Sequence, residues 1–366
     1  MTPDSRKPGL IFVGSFSIGP GGLVGGTYSA CKQLMESQLP NVFEVTTLDT
    51  SQLSVSATKI WHRLVSGVGR LLRVLKLAAS GRCQTALIFA TLGPSWIERG
   101  LLALVCRMFG MSAFIFARCA EVNFEIEQKP FVRAFTRFLL RRGVHLIFQG
   151  SILRDRAVAV YPWAAGKMYA IPNWIDLRWC DGVASVPSGK PTTILYMGWL
   201  HPLKGVDILI EGLSRHAEMF RDCRFVLCGD GVDRSMLTEM ASRSGVEIEF
   251  RGWTLGEAKK AAFSEAQIVI LPSRVEGMPN VLLEAMSVAR PVVATTVGSV
   301  ADLIDSGVEG LLVPPEIPDA LVTALSALLA DPNRSRQMGI AGKARIERDH
   351  SLQTASQRLI DLLLTL

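Results

Sequence analysis

Short runs of apolar, β-branched and aromatic residues alternate along this chain with longer stretches whose apolar positions recur every three or four residues. In the front half "GLIFVG" (9–14), "FEVTTL" (43–48), "TALIFA" (85–90), "SAFIFAR" (112–118) and "VHLIFQ" (144–149) are runs of the first kind. In the back half the same pattern returns in "TTILYMG" (192–198), "CRFVLCG" (223–229), "EIEFRG" (247–252), "QIVILP" (267–272) and "RPVVAT" (290–295). Most of these runs lack polar alternation, which predicts strands buried on both faces, while segments 26–37, 54–80, 95–109 and 130–142 have helical spacing. Two such sets predict two doubly wound, Rossmann-like α/β domains. The non-periodic "WCDGVASVPSGKP" (179–191), rich in Gly, Ser and Pro, is the expected linker. The expected boundaries are therefore 1–178 for the first domain, completed by a C-terminal helix at about 351–366, and 192–350 for the second. Parallel sheets bind ligands beyond the carboxyl ends of their strands, so the expected active site lies in a central cleft faced by both sheets.

Composition narrows the function classes. At 366 residues the chain is long for a single core. Residues 1–177 hold 20 basic and 10 acidic side chains, and residues 178–366 hold 19 and 23, so the net charge of +6 comes from the front half. A basic face suits nucleic acid, an anionic membrane or an acidic metabolite, and no nucleic-acid module accompanies it. The seven cysteines are scattered without a Cys-x-x-Cys pair, which predicts free thiols in a reducing cytoplasm. "GLIFVG" is too short for the apolar part of a signal peptide, and no window of about 18 uncharged apolar residues suits a membrane span. The five histidines have no ligand spacing and no Asp-x-Asp pair occurs, so no metal site is expected.

The stretch "SRVEGMPNVLLEAM" (273–286) carries the candidate chemistry. Pro279 suits a first helical turn and disfavours helix at Met278, which leaves Glu276 in a loop and puts Glu284 inside a helix. Between the two carboxylates lie the N–H groups and positive dipole end of that helix, an arrangement suited to a diphosphate. Read alone, the two glutamates fit a solvated loop and an exposed helix face equally well.

The wider stretch 270–315 resembles the donor-binding segment of retaining GT-B glycosyltransferases of the GT4 group (glycosyl transferases group 1), whose signature is two glutamates separated by seven residues, here Glu276 and Glu284. "YAIPNWIDLRW" (169–179) resembles the family's strand end with Asn173 and Asp176, and "ILYMGWLHPLKGVDILIEGL" (194–213) its phosphate-binding strand-loop-helix with Lys204 and Gly205. "VLCGDGVDR" (226–234) and "FRGWT" (250–254) resemble its nucleotide-pocket turns, so the likeness covers nearly the whole back half and is looser in the front.

The resemblance implies a GT-B fold and a metal-independent retaining transfer of a hexosyl or N-acetylhexosaminyl group from a UDP- or GDP-linked donor to an acceptor hydroxyl, without a cofactor. It also implies roles in polysaccharide or glycolipid biosynthesis. Lys204 would neutralise the diphosphate, Glu284 hold the ribose and Glu276 the sugar, while Gly277, Met278, Pro279, Asn280 and Val281 supply backbone contacts. Gly198, Gly229, Gly252 and Trp253 would line the donor pocket. Where the family usually has a phosphate-binding arginine this chain has Trp199, and where a glycine is usual it has Ala289.

In the front half "GSFSIGPGGLVGGTYSA" (14–30) follows the first strand and makes Gly21 and Gly22 candidates near the reacting sugar. A dinucleotide reading with Asp49 as the ribose acid fails on glycine spacing. Arg118 ends "FIFAR" where the family often has a histidine near the transferred sugar. An anionic group of donor or acceptor, or an internal salt bridge to Glu98 or Glu121, would each partner it. Segments 58–82 and 131–142 are basic and apolar, suited either to an anionic bilayer carrying a saccharide or lipid-linked acceptor at the inner membrane face, or to ordinary surface packing. Two rivals share the donor pocket: a nucleotide-sugar epimerase and a non-catalytic sugar-nucleotide-binding protein.

Overall fold

The structure, a computed structural model, describes residues 7–17, 25–51, 60–91, 93–189 and 191–365, without the side chains of residues 60–64. It has two compact units, one running up to Trp174 and resuming at Leu352, the other spanning Ile175–Ser351.

The first unit is built on a six-stranded sheet of β1 (Gly9–Gly14), β2 (Glu44–Asp49), β3 (Thr85–Ala90), β4 (Ser112–Ala117), β5 (His145–Phe148) and β6 (Met168–Ala170), in the order β2-β1-β3-β4-β5-β6. Every pairing in it is parallel. β1 and β3 are buried at every residue, as their unbroken apolar runs require, while edge strand β2 is largely open. Leu10, Phe12, Leu87, Phe89, Phe114 and Phe116 form its core together with Ala355, Leu359, Ile360 and Leu363 of the C-terminal helix Leu352–Thr365.

The second unit repeats the plan with β7 (Thr192–Met197), β8 (Cys223–Cys228), β9 (Glu247–Gly252), β10 (Ile268–Leu271), β11 (Val292–Thr295) and β12 (Gly310–Val313), in the order β12-β11-β10-β7-β8-β9. Its pairings are also parallel. Each sheet reverses its winding once, between β1 and β3 and between β7 and β10, and at such a point the crossovers diverge and leave a crevice beyond the strand ends.

The pattern reading places ten of these twelve strands to within two residues. It assigned no strand at β12, and it reached β6 only as a strand end through the resemblance. The helix expected over 54–80 is described from Ile60 to Ala79, and residues 52–59 lie outside the described part. The expected linker has no regular structure after Cys180 and is tied to the second unit: Ala184 N donates to Ser264 Oγ (3.0 Å), and its carbonyl accepts from Arg290 Nη2 (2.7 Å). All seven cysteines are free.

Ala289, where the family resemblance would have glycine, has φ +58° just beyond the helix Asn280–Ser287. Arg290 N closes onto Ala285 O (2.9 Å) and Ala289 N onto Met286 O (2.9 Å), a left-handed helix end that a Cβ disfavours. Ala289→Gly is accordingly expected to stabilise the protein by about 1 kcal/mol, read as a higher urea midpoint at unchanged slope.

Candidate functional site

The second unit gathers its chemistry at the β7/β10 crevice. β7 runs out through Gly198 and Trp199 into a short turn, Pro202–Lys204, and Gly205 (φ +64°) then redirects the chain into the helix Val206–Arg215. A Cβ on Gly205 would lie 2.0 Å from Pro272 O at the end of β10, so only glycine lets the two strand exits touch. Arg274 N donates to Leu203 O (2.8 Å), clasping the same exits. Across this contact Lys204 Nζ reaches Glu276 Oε1 at 2.6 Å, and Ser273 Oγ donates to the same oxygen at 2.7 Å. Glu276 is buried, and these two donors satisfy that carboxyl oxygen.

The helix after Glu276 begins at Asn280, with Pro279 as its extended cap residue; the expected first-turn proline stands one position earlier, outside the helix. Met278 is buried, and Glu276 and Gly277 are fixed from behind by Gly298 (φ +55°). A Cβ on Gly298 would stand 1.8 Å from Glu276 O, and this close approach lets Ser299 N donate to Gly277 O (2.8 Å). Glu284 is the fifth residue of the helix, and its Oε1 accepts from Lys259 Nζ at 2.6 Å, with that ammonium 5.4 Å from the centre of the Trp179 ring. The two glutamates thus occupy different ion pairs flanking one helix N-terminus.

The remaining candidates fall around this frame. Gly229 N donates to Gly252 O (2.7 Å), joining the exits of β8 and β9, and Gly198 N donates to Cys228 O (2.9 Å). Trp253 is exposed. Trp199 is exposed too: its ring stacks on His201 at 5.8 Å and its carbonyl accepts from Tyr196 Oη (2.7 Å). Arg274, the nearby arginine, is committed to Asp207 (2.8 and 2.7 Å) and to Glu316, while Lys204 is paired with Glu276. Val281 is partly buried and packs on the core of the unit. Asn173 is buried and accepts from Gln149 Nε2 (2.9 Å) in the first unit, while Asp176 caps the turn Leu177–Cys180 and pairs with Arg178, which holds its carboxyl below the usual range. Lys259, Trp179 and Gly298 carried no sequence signal beyond a lysine pair, an aromatic and a glycine after a strand. Their roles arise only from segments brought together by folding.

In the first unit Gly21 and Gly22 lie outside the described residues. Arg118 leaves β4 with its guanidinium carbon 4.8–5.2 Å from the rings of Phe116, Phe89 and Trp174. Glu98, one partner expected for it, is paired instead with Arg70 and Arg99. Asp49, at the end of β2, accepts from Phe16 N (3.0 Å), Ser51 N (2.8 Å), Ser51 Oγ (2.7 Å) and Ser17 Oγ. Burial pulls its pKa upward, but these donors outweigh it and hold the carboxyl at about 2 against an ordinary 3.8. A depressed carboxylate pKa stabilises the fold above about pH 4 and loses that contribution as pH falls toward 2. Asp49→Asn should therefore show a smaller fall in urea midpoint between about pH 5 and pH 3 than the parent protein.

Among the described residues no group of three or more His, Cys, Asp or Glu is placed to hold a metal ion, and no helix is long and apolar enough to cross a membrane. Residues 191–331 match the family model described as "Glycosyl transferases group 1". Over 168 residues the chain is 33% identical to alpha-D-kanosaminyltransferase of Streptomyces kanamyceticus, covering 45% of this chain and 44% of that one. The chain spans about half the length of the curated relatives it matches. Among solved structures it is similar to sucrose-phosphate synthase from Thermosynechococcus elongatus (TM-score 0.77, 18% identity, 98% of this chain and 99% of that one). A second likeness is to HepE from Anabaena in complex with UDP and glucose (TM-score 0.70, 16% identity, 98% and 100% covered). These likenesses establish a GT-B fold, and residues 191–331, which carry the β7/β10 crevice, match the glycosyl transferases group 1 model.

Proposed function

We propose that the protein is a retaining, metal-independent glycosyltransferase that takes a UDP- or GDP-linked hexose or N-acetylhexosamine and passes the sugar to an acceptor hydroxyl. The observation that carries this is the β7/β10 crevice, where Lys204, Glu276 and Glu284 stand around a helix N-terminus within a glycosyl transferases group 1 domain. In this reading Lys204 and the N–H groups at the helix start stabilise the charge that develops on the leaving diphosphate, the work a cation would otherwise do. Glu276, paired with Lys204, accepts from hydroxyls of the transferred sugar, and Glu284 accepts from the ribose. Trp199 offers an exposed ring where the family has an arginine, so it contributes stacking or cover but no charge. Among the described residues the side chains hydrogen-bonded to Glu276 are Lys204 and Ser273, both donors to it, and we favour a front-face route in which the departing phosphate takes the acceptor proton. Retention is tested by the anomeric configuration of the product in NMR. Incubation of the purified protein with donor and no acceptor separates transfer from epimerisation, because accumulation of an epimeric nucleotide sugar would sink the transferase reading.

We propose further that the first unit works against an anionic bilayer at the cytoplasmic face, where it meets a saccharide or lipid-linked acceptor of polysaccharide or glycolipid synthesis. Supporting this, Val65, Val68, Leu72 and Leu75 are exposed at heptad-like spacing on the helix Ile60–Ala79, which packs on the helix Pro94–Met108 with its exposed Leu101 and Met108. That helix in turn packs on Pro130–Arg141, which exposes Phe131, Phe138, Arg133, Arg137 and Arg141. Apolar and basic side chains on one layer of helices suit the headgroup region of acidic lipids. Co-sedimentation with vesicles containing phosphatidylglycerol is expected to capture the protein, and Val68→Asp/Leu72→Asp to reduce capture about tenfold; equal capture by purely zwitterionic vesicles would refute the electrostatic part.

A further inference from the structure

Four arginines outside the crevice, two in each unit, draw attention because one or two guanidinium nitrogens of each are buried. Arg99, Arg224 and Arg345 have buried nitrogens without a hydrogen bond, yet each has a carboxylate at ion-pair distance: Glu98 (3.0 Å), Glu265 (2.9 Å), and Asp305 with Glu309 (2.7 and 2.9 Å). The two of these in the second unit, Arg224 and Arg345, are thereby accounted for. Arg118 is different. Its Nε and Nη1 are buried and donate to nothing, and among the described residues no carboxylate pairs with it. Three aromatic rings surround the guanidinium carbon, Phe116 at 4.8 Å, Phe89 at 5.1 Å and Trp174 at 5.2 Å. Trp174, itself buried, has its Nε1 without an acceptor as well. The thiol of Cys31 interacts with it electrostatically, but burial pushes that thiol up to about 12, so it is neutral at pH 7 and gives no counter-charge. By contrast the fully buried Arg290 of the second unit donates to three carbonyls, Phe263 O (2.9 Å), Val288 O (2.6 Å) and Ala184 O (2.7 Å), which is how a purely structural buried arginine is satisfied.

Three buried N–H donors on two touching side chains, with no acceptor among them, cost stability unless something supplies the acceptor. Their position identifies the supplier as a ligand. Arg118 follows the carboxyl end of β4, whose neighbour β3 borders the β1/β3 reversal, where parallel sheets hold their ligands. Arg118 as a whole is only partly buried. A planar, permanently charged fork beside an indole N–H is matched by a planar or tetrahedral oxyanion.

We infer that the carboxyl end of β4 is an oxyanion-binding site, with Arg118 as its charged residue and Trp174 Nε1 as a second donor, taking a carboxylate or a phosphate group borne by a substrate. Resting on the proposed transfer reaction, this places an acidic sugar or a phosphorylated saccharide among the enzyme's substrates.

The test is calorimetric titration of the full chain with inorganic phosphate, with D-glucuronate and, as the neutral control, with D-glucose, in the parent protein and in Lys204→Ala, Arg118→Met, Arg118→Lys and Trp174→Phe. Saturable binding of phosphate or glucuronate but not glucose is expected, preserved in Lys204→Ala, weakened about tenfold or more in Arg118→Met and less in Trp174→Phe. Phosphate alone binding would assign a phosphorylated ligand, and glucuronate alone an acidic sugar. Arg118→Lys keeps the charge and loses the fork, so it should fold and bind more weakly; if Arg118→Met does not fold, this variant decides. The inference is overturned if neither oxyanion binds the parent protein, or if every folded Arg118 variant binds as the parent does. Parallel titration with UDP and GDP reports on the second unit's crevice separately, since loss there with retained oxyanion binding would indict the donor-site reading alone.

Discussion

Lys204→Met is expected to lower turnover with saturating nucleotide sugar by about 10²–10³-fold, the usual cost of deleting one preorganised group that stabilises developing negative charge. The size follows from the surroundings. Lys204 stands at the β7/β10 crevice, where Trp199 contributes no charge and Arg274 is bound to Asp207 and Glu316 and so is not free to take over. The substitution also strips buried Glu276 of an ion-pair partner 2.6 Å away, leaving only Ser273 Oγ. A stability loss of about 2 kcal/mol should accompany it, because an uncompensated buried charge is costly. The double variant Lys204→Met/Glu276→Gln separates the two effects. It should regain most of the lost stability, since the unpaired charge is gone, and regain none of the turnover. Recovery of turnover in the double variant would show that Lys204 serves only to neutralise Glu276.

Gly298→Ala is expected to destabilise the second unit by about 3 kcal/mol and to abolish most nucleotide binding. Two causes add. The residue has φ +55°, which a Cβ disfavours, and the new methyl would stand 1.8 Å from Glu276 O and 2.9 Å from Gly277 O. The collision lies with backbone, so no side-chain rotation relieves it; the loop carrying Glu276 and Gly277 has to move, and with it the hydrogen bond from Ser299 N to Gly277 O. A urea titration measures the first effect and a nucleotide titration the second. Gly256→Ala is the control, because Gly256 also has positive φ (+57°) but a Cβ there meets nothing within 4 Å. It should show the conformational cost alone, about 1 kcal/mol, with nucleotide binding intact.

Much of this architecture is legible in the chain because buried parallel strands leave a coarse mark: "GLIFVG" and "TALIFA" contain no polar residue to place on a solvent face beyond a terminal threonine, and both are buried throughout. β6 and β12 escaped pattern reading because neither is an unbroken buried run: β6 has three residues, two only partly buried, and β12 starts at a glycine with its two middle residues partly buried, whereas the equally short β10 is buried throughout. The loop position of Glu276 and the helical position of Glu284 were legible from Pro279, since proline constrains its own φ and its predecessor. What the two carboxylates touch was not. Lys259 lies 25 residues before Glu284 and Lys204 lies 72 before Glu276, and such separations leave no local trace. Arg118 illustrates the opposite case: an arginine ending an apolar strand announces a buried cation needing a partner, yet only the packing of Phe89, Phe116 and Trp174 shows that rings surround it and that no carboxylate among the described residues pairs with it.

The central claim is that the β7/β10 crevice binds a nucleoside diphosphate through Lys204. Isothermal titration of UDP and of GDP into the parent protein and into Lys204→Met tests it without requiring the acceptor. The account predicts one site per chain for at least one of the two nucleotides, with affinity lowered about tenfold or more in the variant. Binding of neither nucleotide to the parent protein, or equal affinity in both proteins, would contradict it.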